Sequence, residues 1–552
     1  MIGRVFDIDL AVAAGAGTED EVLDALDQGI EHAVLEATDS SGCEFAFTHG
    51  LLVDTVRRAI NPRRLARIHE RVAAAMEERN PEKASAIAVH YERAGLPLKA
   101  YPHALTAGRE ALAMYGQAEA RRFFEIAERA AATPGERASA LLGLAEVSEL
   151  EGRHALTEEL CDRALATLAD GSDEHTVLAL RRMRERTRSL QGRPARETIA
   201  VCTELLAKAR SLGDRAEESA LLTMISHCQD RLGDGAAAER VAREAVEAAQ
   251  AANDPRLLAE SLTRLGSAIK ETNAAEAQEY YHRALTLFHA AGDRSGEARC
   301  HINIGKIHQR AGDMSAAETA YDHGLESARS AQALDLAGLA SLNLGVLYLR
   351  RGQLALAGER YDDALERFTE SSNETDRLST LFNMAHLARE ADDWGTASAL
   401  YEQVMAIAAR IGRPDVELGA RAGQALAALA VGARSVAEDA MRWIRANVET
   451  RPEWWFQGRD LVDALRIRLA AERGDDVHAM RLLADAVSMV GRHDIYLAAH
   501  LVAECAPALR GVGVPLLDLI DQLLPQVAAF GLTGAVQRLT NVRMSLLASA
   551  AA

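Results

Sequence analysis

Three asparagines, Asn303, Asn343 and Asn383, recur 40 residues apart, each at the same point of a repeating pattern. The surrounding segments read INIGKIHQRAGDMSAAETAYDHGL, LNLGVLYLRRGQLALAGERYDDAL and FNMAHLAREADDWGTASALYEQVM. A primary amide donates through its nitrogen and accepts through its oxygen, so a row of them can grip a peptide backbone whatever its side chains. Lys306, Arg310 and Arg350 stand one or five residues after the small residue of the pattern, Gly305 or Gly345. On a helix these positions share a face with the asparagines, and their cations could pair with an acidic side chain or a C-terminal carboxylate. Ordinary solvated charge is the competing account, because exposed ion pairs contribute little.

Other candidate chemistry is thinner. Two basic runs stand out, RRAINPRRLARIHER at 57–71 and RRMRERTRSLQGRPAR at 181–196. In the first, Arg57, Arg58, Arg63, Arg64 and Arg67 are candidates for phosphate contact or for intramolecular docking onto acidic repeats. His301 with His308, and His282 with His289, are spaced seven apart, without the closeness of a metal-binding HExxH pair. Neither a G-x-S-x-G elbow nor a G-x-x-x-x-G-K-[ST] loop occurs; the only Gly-Lys pair, Gly305-Lys306, lies inside a repeat. No cofactor, metal or catalytic residue is therefore expected, and the chain reads as a non-enzyme. Trp443, Trp454, Trp455 and Phe456 concentrate aromatic area, which we read as core anchoring.

The elements that must position the amides follow from the period. Each unit carries a small residue in its first helix, a Gly or polar turn seven residues later, and a second helix of form A-x3-[Y/F]-x2-A. The strongest units are Gly305–Gly312–Ala317–Tyr321–Gly324, Gly345–Gly352–Ala357–Tyr361–Ala364 and Ala385–Asp392–Ala397–Tyr401–Val404. Weaker units can be phased on Gly108, Ala145, Arg186, Ser226, Gly266, Ala425 and Ile467, giving ten in all. A fixed period of this length means stacked helical hairpins, which need no single large core. With aromatics at 4% and alanine abundant, the small residue allows close helix approach while the ring fills the gap to the next hairpin.

This pattern resembles the tetratricopeptide repeat, stretched from its usual period to about 40. The resemblance runs from about residue 100 to 492 and is strongest over 261–413. It implies an all-α, right-handed superhelical solenoid whose first helices face a concave groove. Adjacent first helices should lie about 10 Å apart and an extended peptide advances about 3.3 Å per residue, so one amide would meet roughly every third residue.

The first hundred residues differ. Ile2-Gly3-Arg4 with Phe6-Asp7, Phe47-x-His49 before a helix, and Pro62-x-Arg64 leading to His69 resemble the winged-helix segment of bacterial STAND-class signalling ATPases, including LuxR-type and AfsR-type regulators and cyclase-linked relatives. In that family a P-loop ATPase domain precedes the segment, and this chain begins at the junction; a truncated gene, a misplaced start and a stand-alone remnant stay open. The expected domains are a winged-helix-like arm at 1–95, a first hairpin at 96–135, the array at 136–492 and a helical cap at 493–552.

A formal charge of −19 disfavours nonspecific nucleic-acid binding, which rests on phosphate neutralisation. Six scattered cysteines without CxxC spacing suggest buried thiols in a reducing compartment. No segment approaches the 18 or so apolar residues of a membrane span, so a cytoplasmic protein is expected. The implied function is a protein- or peptide-binding sensor or scaffold in bacterial signal transduction or transcriptional regulation, working with a P-loop ATPase domain or partner. A DNA-binding regulator acting through the winged helix, and a fragment of an ATP-dependent regulator, are the alternatives.

Overall fold

The computed structural model describes residues 5–38, 44–49, 55, 58–114, 116–168, 173–447 and 457–551. They divide into two compact units, 1–149 with 156–184, and 150–155 with 185–552.

The first unit opens with a small antiparallel sheet of β1 (Val5–Asp7), β2 (Leu35–Ala37) and β3 (Glu44–Phe47), in the order β1-β3-β2. Helices Ile8–Ala13 and Glu19–Glu31 lie between β1 and β2 in the chain. Asp7 caps the first of these, and Thr18 with Glu21 forms a reciprocal capping box on the second. Phe45 on β3 closes a small apolar core against Ile8, Val22 and Leu26. Helical hairpins follow, including Pro97–Ala113 with Gln117–Ala130.

In the second unit the hairpins are regular. We call the first helix of each hairpin A and the second B. The 305 repeat is Arg294–Arg310 and Met314–Ser330, the 345 repeat Leu334–Arg350 and Leu354–Ser371, the 385 repeat Glu374–Glu390 and Trp394–Arg410. Each A-to-B turn has the same cause. Gly312 and Gly352 take left-handed φ values of 83° and 76°, which end helix A at no steric cost. Asp313 then caps helix B, its carboxylate accepting from the Ala316 N–H at 3.0 Å. Asp392 stands where the third repeat lacks that glycine and adopts φ 56°, a conformation asparagine and aspartate tolerate best among other residues.

Tyr281, Tyr321, Tyr361 and Tyr401 are all 0% exposed. A Cβ placed on Gly305 would come within 2.6 Å of the Tyr321 ring, and one on Gly345 within 2.5 Å of Tyr361. The ring of Tyr401 meets the next hairpin instead, at Gly423, where a Cβ would lie 2.4 Å away. The small residue and the ring are thus one wedge. Stacking these wedges produces a continuous apolar core reaching from Ala298 to Leu546.

Across the 305, 345 and 385 repeats, consecutive A helices approach one another more closely than consecutive B helices do. The stack therefore curves with its A helices inside. The series continues through Arg459–Ala471, Ile495–Cys505 and Thr533–Ala551, and the last of these returns to the A helix of the 345 repeat. Among the described residues, no helix is long and apolar enough to cross a membrane.

Candidate functional site

The three asparagines occupy equivalent points on the A helices of the 305, 345 and 385 repeats, and each is half-buried. Buried residues flank Asn303 (Ile302 and Ile304) and Asn343 (Leu342 and Leu344), while Asn383 follows the buried Phe382. The Asn343 amide donates back to the Leu339 carbonyl at 2.6 Å, while Asn303 and Asn383 make no hydrogen bond among the described residues.

Lys306 is half-buried, one turn along from Asn303. Burial pushes its ammonium down to about 8, Lys270 pushes in the same direction, and Asp376 opposes them. The unfolded lysine keeps its proton up to its ordinary value near 10.5, so between about 8 and 10.5 the unfolded chain binds more protons and stability rises with pH. At neutral pH the charged form costs stability. Lys306→Met is therefore expected to stabilise the protein by about 1–2 kcal/mol at pH 7, allowing for partial solvent screening. The gain should shrink when urea unfolding is repeated above pH 10, and an equal effect at both pH values would reject this account.

The two arginines of the predicted face are engaged within the chain. Arg310 is exposed and pairs with Glu271 in the preceding repeat. Arg350 pairs with Asp494, and its guanidinium lies 5.3 Å from the centroid of the Tyr496 ring. Asp494 and Tyr496 begin the helix Ile495–Cys505, so C-terminal helices cover the end of this A-helix wall. Further along, Arg389 is 4% exposed and donates to Glu504 at 3.0 Å, while Arg468 donates to the other oxygen of the same carboxylate at 2.9 Å. Burial raises the Glu504 pKa, but Arg389, His500 and Arg468 outweigh it and hold the carboxyl at about 2. Glu390 contacts both His500 and Arg538. Gly352 meets Gly534 so closely that a Cβ on Gly534 would lie 2.7 Å from the Gly352 nitrogen.

In the N-terminal basic run, Arg58, Arg63, Arg64 and Arg67 are exposed, the last three on the helix Pro62–Arg79; Arg57 lies outside the described residues. In the second run, Arg184 pairs with Asp162, and Arg193 with Glu185 and Glu197. Arg421 stacks on Trp443, 3.9 Å from the ring centroid; Trp454, Trp455 and Phe456 lie outside the described residues. His289 pairs with Glu297 at 2.9 Å, and His301 packs edge-on against His323. The five described cysteines are buried; Cys43 lies outside the described residues.

Sequence reasoning missed one polar cluster, His386 with Asp460 and His500. The three come from distant parts of the chain, so no local spacing could have announced them.

The tetratricopeptide-repeat family profile matches residues 257–330 and 335–410. The regulatory protein AfsR of Streptomyces griseus is 25% identical over 205 residues, which is 37% of this chain and 20% of that protein. The chain thus spans about a fifth of the length of the curated relative it matches. Solved structures with similarity include a signal-transduction ATPase with numerous domains carrying a tetratricopeptide repeat sensor, from Pyrococcus horikoshii. It is 13% identical, with 80% of this chain and 61% of that one covered and a TM-score of 0.37. A Rap protein complexed with competence and sporulation factor is 15% identical, with 69% and 99% covered and a TM-score of 0.44. The described residues form an all-α solenoid of tetratricopeptide-like helical hairpins with a small N-terminal β segment.

Proposed function

We propose that the chain is a binding module that holds an extended protein or peptide segment along the inner wall formed by its A helices. The observation that carries this reading is the repetition of a half-buried amide at the same point of three consecutive A helices. Two of those amides make no side-chain hydrogen bond among the described residues, so they keep both donor and acceptor for a ligand backbone. Lys306, beside them and only partly solvated, adds a cation suited to an acidic side chain or terminal carboxylate of the same segment. Arg350 enters this reading differently, because its partner Asp494 would have to be displaced before a ligand carboxylate took its place.

The resemblance of residues 1–95 to a winged-helix arm, together with the partial match to AfsR, supports placement in a bacterial regulatory system. Ligand occupancy of the wall would there be relayed through the N-terminal unit to an ATPase domain or partner.

The test is selection of a displayed random-peptide library on the full chain, with Asn303→Ala/Asn343→Ala/Asn383→Ala as a second target. Peptides enriched on the natural chain should lose about 1 kcal/mol of binding per amide removed, while the variant retains its helical content. Enriched peptides that bind the variant equally well would remove the amide wall from the mechanism. Failure to enrich any peptide would count against peptide capture itself.

A further inference from the structure

Three side chains from three helices converge inside the C-terminal part of the second unit. His386 comes from the A helix of the 385 repeat, Asp460 from the first turn of Arg459–Ala471, and His500 from Ile495–Cys505. They are 6%, 5% and 6% exposed. One candidate ligand atom from each lies within 4.8 Å of the others. The imidazole centroids of His386 and His500 are 4.7 Å apart.

Both ring nitrogens of His386 are buried, and neither has a hydrogen-bond partner among the described residues. A neutral imidazole always carries one N–H and one lone pair, so a donor and an acceptor are both left unanswered. Buried polar groups are so regularly satisfied that such an exception asks for a ligand. His500 shows the complementary feature. Its Nε2 contacts Glu390, itself buried, and a carboxylate on the far nitrogen is the usual way a ligating imidazole is oriented.

The carboxylate of Asp460 is buried as the third donor beside the two imidazoles. Two imidazoles and one carboxylate suit zinc and its first-row neighbours, and are too nitrogen-rich for magnesium or calcium. Beside the cluster, a cavity of about 340 Å³ is lined by His500, Glu390, Tyr496 and Arg538.

We propose that His386, Asp460 and His500 form a binding site for one divalent transition-metal ion of the zinc class. The ion would join the 385 repeat, the helix Arg459–Ala471 and the helix Ile495–Cys505, locking the C-terminal helices onto the A-helix wall. Binding free energy at such a site becomes stability of the elements it joins.

The experiment is titration of zinc into tag-free, chelator-stripped full-length chain against a competing chromophoric chelator. One tight site per chain is expected. His386→Gln and His500→Gln should each weaken it by at least about 100-fold, beyond what loss of an orienting neighbour costs. His301→Gln/His323→Gln, which alters a histidine pair outside the cluster, should leave it unchanged. Cobalt(II) in place of zinc should give visible d–d absorption in the natural chain and lose it in His386→Gln. X-ray absorption of the zinc-loaded natural chain should report two imidazole ligands, a readout that stands even if a variant fails to fold. Absence of a stoichiometric site, an affinity unchanged in folded His386→Gln, or a zinc environment without two imidazoles would each overturn the proposal.

Discussion

Tyr361→Ala is expected to lower stability by about 3–5 kcal/mol, the range for removing a buried aromatic ring from a packed interior. The ring is wholly inaccessible to solvent, and the backbone of Gly345 approaches too closely for any other residue at that position. Alanine would leave a cavity between two helices that cannot collapse without shifting their crossing. Because each hairpin is supported mainly by its neighbours, the loss should appear first as faster amide exchange in the 345 repeat and the two beside it. Tyr361→Phe offers the internal control. The Tyr361 hydroxyl is buried without a hydrogen-bond partner, so its removal should be neutral or stabilising by up to about 1 kcal/mol. Urea unfolding of both variants checks the pair, and a loss below about 1 kcal/mol for Tyr361→Ala would mean that the ring is not the wedge between hairpins.

Glu504→Gln is expected to cost about 3–5 kcal/mol at neutral pH, since it leaves Arg389 and Arg468 facing a neutral amide inside the protein. Arg389 has almost no solvent to turn to, with a side chain only 1% exposed. The same carboxylate predicts an acid limb. Its folded pKa is held near 2, below the ordinary value of 4.5. Its contribution is therefore complete above about pH 4.5 and is lost as pH falls toward 2. Glu504→Gln should lack that limb, so the gap between natural and variant proteins should narrow from pH 7 to pH 3. A constant gap would assign the cost to packing instead of charge. Hydrogen exchange should place the loosening in Arg459–Ala471 and Ile495–Cys505, the helices that bring Arg468 and Glu504 to Arg389.

Much of the fold was legible because a solenoid encodes its contacts at a fixed separation. Gly345 and Tyr361, or Gly305 and Tyr321, meet within one hairpin, so their spacing recurs and can be read directly. The Gly-Asp pair after an A helix is equally local, one residue supplying the left-handed turn and the next capping helix B. The positions of Asn303, Asn343 and Asn383 on successive A helices follow from the same period. In the N-terminal segment, Phe6-Asp7 was a usable signal because Asp7 caps the helix that follows it.

Arg350 marks where such reading ends. Its phase placed it on the asparagine face, but nothing near it in sequence announces Asp494 or Tyr496. The residues at 493–552 could be recognised as helical and out of phase, yet not as the segment that returns to the 345 repeat. That return depends on curvature accumulated over several hairpins, each adding a small rotation set by its own side-chain volumes. Sequence alone determined the hairpin, its turn, its wedge and the row of amides, because these are interactions between near neighbours in a repeating chain. Tertiary structure decided which charges stay available, where Glu504 finds Arg389, and that His386, Asp460 and His500 share one interior, because those meetings are sums over the whole curve and no single spacing contains them.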